Sequence, residues 1–285
     1  MTVGHIAGAY HAQWCFRNSD GYPMGTQSSP DSVANGTTTH ARKLTGLVEA
    51  AAMQISRETA TFKGGQALLG KRQLGVSDIG DFMLRLSAYD PIWHAYINRN
   101  AVDTATVSGN VLSAPNLGEG DPPQGMLLLT TGYTPINGAN KFLTYAYHNV
   151  QISPVNLGGA SQGGGENPNP LEYTVTALPA DRTFLGLPFA DTDLAVVDNT
   201  DWYTLYESQY PIALTTYVAL GSATSFILGY RPKSSDVAQA RNSFTKNGAI
   251  SAATSCNTTT GAVVIPSATA ADIWVAVYET LFQAI

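Results

Sequence analysis

The chain has 285 residues, 44% of them apolar and only 13% charged, with a net charge of −6. That length suits one large or two ordinary domains with a sizeable core, and the negative balance excludes a global basic field that would draw in nucleic acid or anionic lipid. A charged share about half the usual one points to surface hidden against other subunits, or to a Ser/Thr/Asn-rich β surface.

In chain order, residues 1–40 are rich in Gly, Ser, Thr and Pro, and "GYPMGT" and "SSPDSVANGTTTH" are turn chemistry. They read as a polar N-terminal arm with one short strand near Ile6–Phe16. From Met53 onward apolar and polar residues alternate in places, as in a half-buried strand. "KGGQALLGKRQLGVSDIG", 63–80, holds five glycines among charges; it is too long for a tight hairpin and predicts an exposed excursion. "DFMLRLSAYD", 81–90, sets Phe82, Leu84 and Leu86 against Met83, Arg85 and Ser87, the pattern of a strand with one buried face. The period then changes. Asp90 can cap, Pro91 fits a first helical position, and Ile92, Ala95 and Tyr96 recur at helical spacing, which predicts a short helix over 91–99.

Short β-rich segments follow: "TATVSGNVLS", "GMLLLTTGY", "KFLTYAYHNVQIS" and "LEYTVTALP". Between the last two lies "NLGGASQGGGENPNP", 156–170, which has almost nothing in it that folds. Residues 191–207 carry five acids and no base, and this shift marks an acidic linker. The expected organisation is an arm over 1–40, a β domain over 41–190, the linker, and a C-terminal β-sandwich-like domain over 208–285. That last part holds "IALTTYVAL", "SFILGY", "GAVVIP" and "DIWVAVYETLF", with one possible helical turn at "SDVAQARNSF". Strands at this spacing predict a mainly β protein of sandwich or barrel type.

No motif carries chemistry. His5, His11, His40, His94 and His148 stand at no metal-ligand spacing, and HExxH, CxxC, GxxxxGK[ST] and GxSxG are absent. "GGASQGGG" runs into Pro168 and Pro170 and then a strand, not into a helix with a lysine. Cys15 and Cys256 read as unpaired thiols. Catalytic residues, metals and cofactors are therefore all expected to be none. The opening "MTVGHIAGAY" lacks a charged n-region and a long apolar stretch, so no signal peptide is expected, and no run approaches the roughly 18 apolar residues of a membrane span.

The order of elements is more telling. A strand ending at Asp90 feeds a short helix. A later strand, including His148–Ser153, is followed by a Gly-rich break over Ser161–Gly165 and a second strand, Tyr173–Ala177. With the early turn "SDGYPMGT", this resembles the major tail tube protein of long-tailed bacteriophages, over roughly residues 10 to 190. The resemblance implies a tail-tube β-barrel or sandwich with one short flanking α-helix, the smaller C-terminal β domain being added outside it. It implies hexameric rings stacked into the tube through which genomic DNA is ejected, contacts with tape measure, terminator and distal tail proteins, no specific DNA binding, and a place in the virion after synthesis in the bacterial cytoplasm. The long arm is a departure from the family pattern.

In that setting two slack segments become candidate ring and stacking contacts. One offers Leu68, Leu69, Lys71, Arg72 and Leu74, leucines that are odd on a solvated loop unless covered. The other offers Gly158, Gly159, Ser161, Gln162, Gly163 and Gly164, which order only at a cost of about 1–2 kcal/mol per residue and so would order against a neighbour. The alternatives are a carbohydrate-binding or adhesive β-sandwich of the virion, and a capsid decoration protein.

Overall fold

Strands that alternate and strands that run unbroken in apolar residues occupy different layers of this molecule. The computed structural model describes residues 4–26, 30–50, 55–64, 67–88, 90, 93, 97, 102–103, 111–112, 123–136, 138–156, 171–180, 184–185, 196–197, 202–221, 224–237 and 241–283. In the first half the strands are β1 (Gly4–Phe16), β2 (Thr38–His40), β3 (Arg42–Leu44), β4 (Leu47–Ala50), β5 (Ile55–Gly64), β6 (Ala67–Ile79) and β7 (Phe82–Leu86). A minimal pair, β8 (Val102–Asp103) and β9 (Val111–Leu112), precedes β10 (Gly125–Pro135), β11 (Lys141–Asn156) and β12 (Leu171–Leu178). After a second minimal pair, β13 (Phe184–Leu185) and β14 (Val196–Val197), come β15 (Tyr203–Ser208), β16 (Ile212–Val218), β17 (Ser225–Ile227), β18 (Asn242–Lys246), β19 (Ala249–Ile250), β20 (Ser255–Cys256), β21 (Ala262–Val264) and β22 (Ile273–Glu279). Every named ladder is antiparallel.

A large sheet of eight strands has the order β3-β1-β10-β11-β12-β7-β4, with β15 added beside β11. A middle sheet runs β19-β18-β22-β16-β2, and an outer sheet runs β17-β21-β20. Three cores separate these layers. On β10, Leu127 and Leu129 enter the first core while Met126 and Leu128 enter the second. On β22, Val275 and Val277 enter the second core while Trp274, Ala276 and Tyr278 enter the third. Both faces of these strands are buried, so "GMLLLTT" and "IWVAVYE" show no polar alternation. β7 and β12 alternate strictly, their second face carrying Met83, Arg85, Glu172, Thr174 and Thr176. There Arg85 bridges Glu49 and Glu172 across three adjacent strands.

The parity of β11 changes partway along. Tyr147 and Val150 both belong to the first core, and a register shift lies opposite them between Gly125 and Leu127. The extra residue turns the strand's second half over, as a β-bulge does. This lets one strand hold β15 along residues 142–147 and β12 along residues 149–156.

The two ends of the large sheet, β3 and β4, are consecutive in sequence and separated only by Thr45 and Gly46. Gly46 has φ +73, and a Cβ there would meet Ser87 Oγ at 2.7 Å. The sheet therefore rolls until its ends share one corner, with β4 lying against β1. The corner is covalent: among the described residues no ladder joins β3 to β4, so the expected barrel does not close by hydrogen bonds. No helix reaches seven residues among the described residues. Trp93 and Ile97 are helical and buried in the first core. Asp90 accepts a hydrogen bond from the Trp93 backbone N–H at 3.1 Å and holds Arg42 by a fork of 2.6 and 2.8 Å. The capping role expected of Asp90 is present; the rest of 91–99 lies outside the described residues.

Two expectations need correcting. The stretch 63–80 is not a loop: β6 spans most of it and pairs with β5. Its glycines and charges obscure the strand pattern, and register shifts interrupt the ladder between Ser56 and Arg57, Arg57 and Thr59, and Phe62 and Lys63. The possible helical turn at 235–244 also gives way at Asn242–Lys246, which is β18. That strand is buried on both faces, with Asn242 and Ser243 among its buried residues, so its polar letters read as solvent-facing.

The ladders also tie together segments that the sequence reads apart. β1 pairs with β10 along its whole length, β15 adds to β11, and β2 adds to β16 of the middle sheet.

Candidate assembly surface

β4 and β7 are antiparallel neighbours that a short turn could join. Instead the chain between them builds β5 and β6, a hairpin of ten and thirteen residues. Its register runs from Ile55 opposite Ile79 to Gly64 opposite Ala67. At about 3.3 Å per residue the ladder is roughly 30 Å long. Among the described residues neither β5 nor β6 pairs with any third strand. Among those residues each has an outer edge of backbone donors and acceptors with no strand beside it, the feature that recruits another chain.

Leu68, Leu69, Lys71, Arg72 and Leu74 all lie on β6. Leu68 stands opposite Lys63, Lys71 opposite Thr61 and Arg72 opposite Ala60, while Leu69 falls at a register shift. The structure thus gathers this group onto one strand of one hairpin. Gly158, Gly159, Ser161, Gln162, Gly163 and Gly164 lie outside the described residues. The strands that flank them, β11 and β12, pair directly, from Asn149 opposite Leu178 to Asn156 opposite Glu172. The other half of the hairpin, β5, falls in the stretch from Met53 onward whose alternation predicts a strand, and "ISRETATFKG" carries the β-branched Ile55, Thr59 and Thr61.

The charge of this hairpin is uneven. Between Thr59 and Gly75 the chain carries Lys63, Lys71 and Arg72 and no acid. At its base Glu58 and Asp78 lie on the strands themselves, and Glu49, Asp81 and Glu172 lie on or beside the β4-β7-β12 rows; Arg57 and Arg85 are the bases there.

Titratable groups elsewhere are structural in setting. His11 is held down to about 3 by burial and by Lys43, and its ring meets Phe282 edge-on at 4.3 Å. Burial pushes the free thiols of Cys15 and Cys256 up to about 12 and about 11, which disfavours thiolate chemistry. His40 Nδ1 lies 3.1 Å from Thr215 Oγ1, which also accepts from the Gly229 N–H and lies 3.3 Å from the Tyr278 hydroxyl. Thr215 and Tyr278 have no exposed surface, so a buried pair of hydroxyls with the half-buried His40 beside it ties β2, β16 and β22 together. Among the described residues no three His, Cys, Asp or Glu side chains gather as a metal site, and no helix is long and apolar enough to cross a membrane.

No protein-family model matches the chain, and no curated protein matches it.

Proposed function

We propose that this chain is a structural virion protein that assembles with copies of itself into stacked hexameric rings, forming the tail tube of a long-tailed bacteriophage. DNA passes through the lumen without specific binding, and the protein's work is mechanical, with no catalytic step and no cofactor. Its other partners are tape measure, terminator and distal tail proteins. The finer fold that goes with this function is a tail-tube barrel or sandwich with one flanking helix, the middle and outer sheets forming an added outer domain. The rolled large sheet and the Asp90 cap at Trp93 support that assignment. The observation that carries the proposal is the long hairpin, without a further partner strand among the described residues, inserted between two strands that needed only a turn. An open edge endangers a monomer, but repetition around a ring turns it into the assembly force.

Negative-stain microscopy of the concentrated protein tests this directly, with rings or tubes as the expected image. A second chain, in which residues 56–78 are replaced by an Asn-Gly turn, should keep its fold and lose the tubes. Tubes from the shortened chain would remove the hairpin from the assembly. Lone monomers of the intact chain at every concentration would overturn the tube itself; glycan-binding monomers would favour the adhesive sandwich, and three-fold knobs a decoration protein.

A further inference from the structure

We infer that the hairpin is a charge-polarised plug whose distal half docks onto the hairpin base of a second copy of this chain, a deepening that rests on the self-assembly proposed above. The distal half, 59–75, carries three cations and no acid, a local charge of +3 within a chain of −6, which leaves −9 on the remainder. The base carries the acids Glu49, Glu58, Asp78, Asp81 and Glu172 against Arg57 and Arg85, a local charge of −3. Register places Lys63 near one end of the hairpin ladder and Asp78 near the other, with Arg72 and Glu58 between them. Lys63, Lys71 and Arg72 fall on the rows from Ala60–Arg72 to Lys63–Leu68, and Asp78 falls on the row beside Ile55–Ile79. Within one chain the Lys63 row and the Asp78 row lie roughly 23 Å apart at about 3.3 Å per residue, beyond a Debye length at physiological salt, while Glu58 stands two residues from the Ala60–Arg72 row.

A tip of +3 on the hairpin, and a net −3 shared by the hairpin's foot and the adjoining β4-β7-β12 rows, fit a heterologous contact. The tip of one copy meets the base of the next, and the contact propagates because every copy carries both halves. Two tips, or two bases, repel. The contact therefore has a polarity, which a uniformly apolar patch would not give. It also has a salt signature. Exposed ion pairs weaken with ionic strength, whereas apolar burial is not screened.

Sedimentation velocity of the full chain between 25 and 500 mM NaCl reads this out without any variant. The apparent association constant is expected to fall by roughly tenfold or more across that range. Lys71→Glu with Arg72→Glu, and separately Glu58→Lys with Asp78→Lys, should each associate about tenfold less at 25 mM, with unchanged circular dichroism. A one-to-one mixture of the two variants should regain association, because the unaltered basic tip of the base variant meets the unaltered acidic base of the tip variant, and the reversed pair is again opposite in sign. Wild-type association constant within about twofold across the salt range overturns the inference while the tube stands. Failure of the mixture to associate, with both variants weakened, overturns the base as the docking point. Absence of wild-type association at any salt overturns both this inference and the tube.

Discussion

Gly125 and Gly8 sit in the same large sheet, and an alanine at each should move stability in opposite directions. Gly125 opens β10, opposite Phe16 on β1 and Val150 on β11. A Cβ there would stand 2.4 Å from Trp14 Nε1, 2.7 Å from Trp14 Cε2 and 2.8 Å from the Cys15 carbonyl oxygen. Neither obstacle can yield cheaply. Trp14 is 1% exposed and packs edge-on against Phe16 with ring centroids 4.5 Å apart, and the carbonyl belongs to a strand laddered to β10. Overpacking costs about 1–3 kcal/mol, and with a backbone atom and a fixed ring both in the way we place Gly125→Ala near the top, at about 3 kcal/mol. For a domain of this size that is a fall in Tm of roughly 6–12 °C. Gly8 meets nothing within 4 Å, so Gly8→Ala mainly restricts the unfolded chain and should raise stability by about 0.4–1 kcal/mol. Urea unfolding followed by tryptophan fluorescence measures both. A loss below about 0.5 kcal/mol at Gly125 would mean that the Trp14 ring moves freely, against overpacking as the dominant cost. A clear loss at Gly8 would mean that its surroundings are not open.

Other perturbations probe the layers and their junction. Glu279 is 3% exposed and accepts from the Gln209 and Tyr210 N–H groups and from Arg241 Nε at 2.9, 3.3 and 2.9 Å. Glu279→Gln sets an amide donor against one of them and should cost about 2–3 kcal/mol by denaturant unfolding; adding Arg241→Gln should cost less than the sum of the single losses. His11, held down to about 3, stays neutral in the folded chain while the unfolded chain takes up a proton below its ordinary pKa of about 6.5. Stability should therefore fall as pH drops from about 6.5 towards 3, by at most ~1.4 kcal/mol per unit from this group, and His11→Gln should remove that part of the slope in a pH series of melts. His40, also lowered by burial, adds a second contribution of the same sign that the His11 variant leaves in place. Ala271 holds φ +68 in the turn before β22, and Ala271→Gly should gain about 0.5–1 kcal/mol in the same assay.

How legible the fold is depends on what each strand faces. β7 and β12 bury one face and expose the other, so "FMLRL" and "LEYTVTAL" announce themselves by alternation. β10, β16 and β22 are apolar runs bounded by turns, and their β-branched content fixes their type but not the number of layers they separate. That there are three cores is a property of which strands meet, and no local pattern carries it. β1 is harder still. His11, Gln13 and Arg17 make "GAYHAQWCFRN" read as polar, yet all three are buried. Gln13 donates to the Ile212 carbonyl at 2.6 Å and Arg17 to the Ala180 carbonyl at 3.1 Å. Their polarity is consumed by backbone groups about 200 and 160 residues away in the chain, so the letters suggest solvent where the structure has a seam between sheets.

The same physics separates the hairpin from the strands of the packed sheets. β1, β10, β11, β16 and β22 each have partners on two sides and a core on at least one face. β5 and β6 have only one another among the described residues, and an isolated two-stranded hairpin is marginal in water. Ordering each of its residues costs about 1–2 kcal/mol, while each backbone hydrogen bond returns only about 0.5–1.5 kcal/mol net. A connection from β4 to β7 gains nothing from such a length, since turns of two to five residues suffice for hairpins. Its tolerance is easy to explain, because long insertions add little loop-closure cost; its regular ladder is not. A ladder of this length is stable only where a further surface covers its edges or faces. The charge along it, basic at the tip and acidic around the base, supports the proposal that another copy of the same chain supplies that surface.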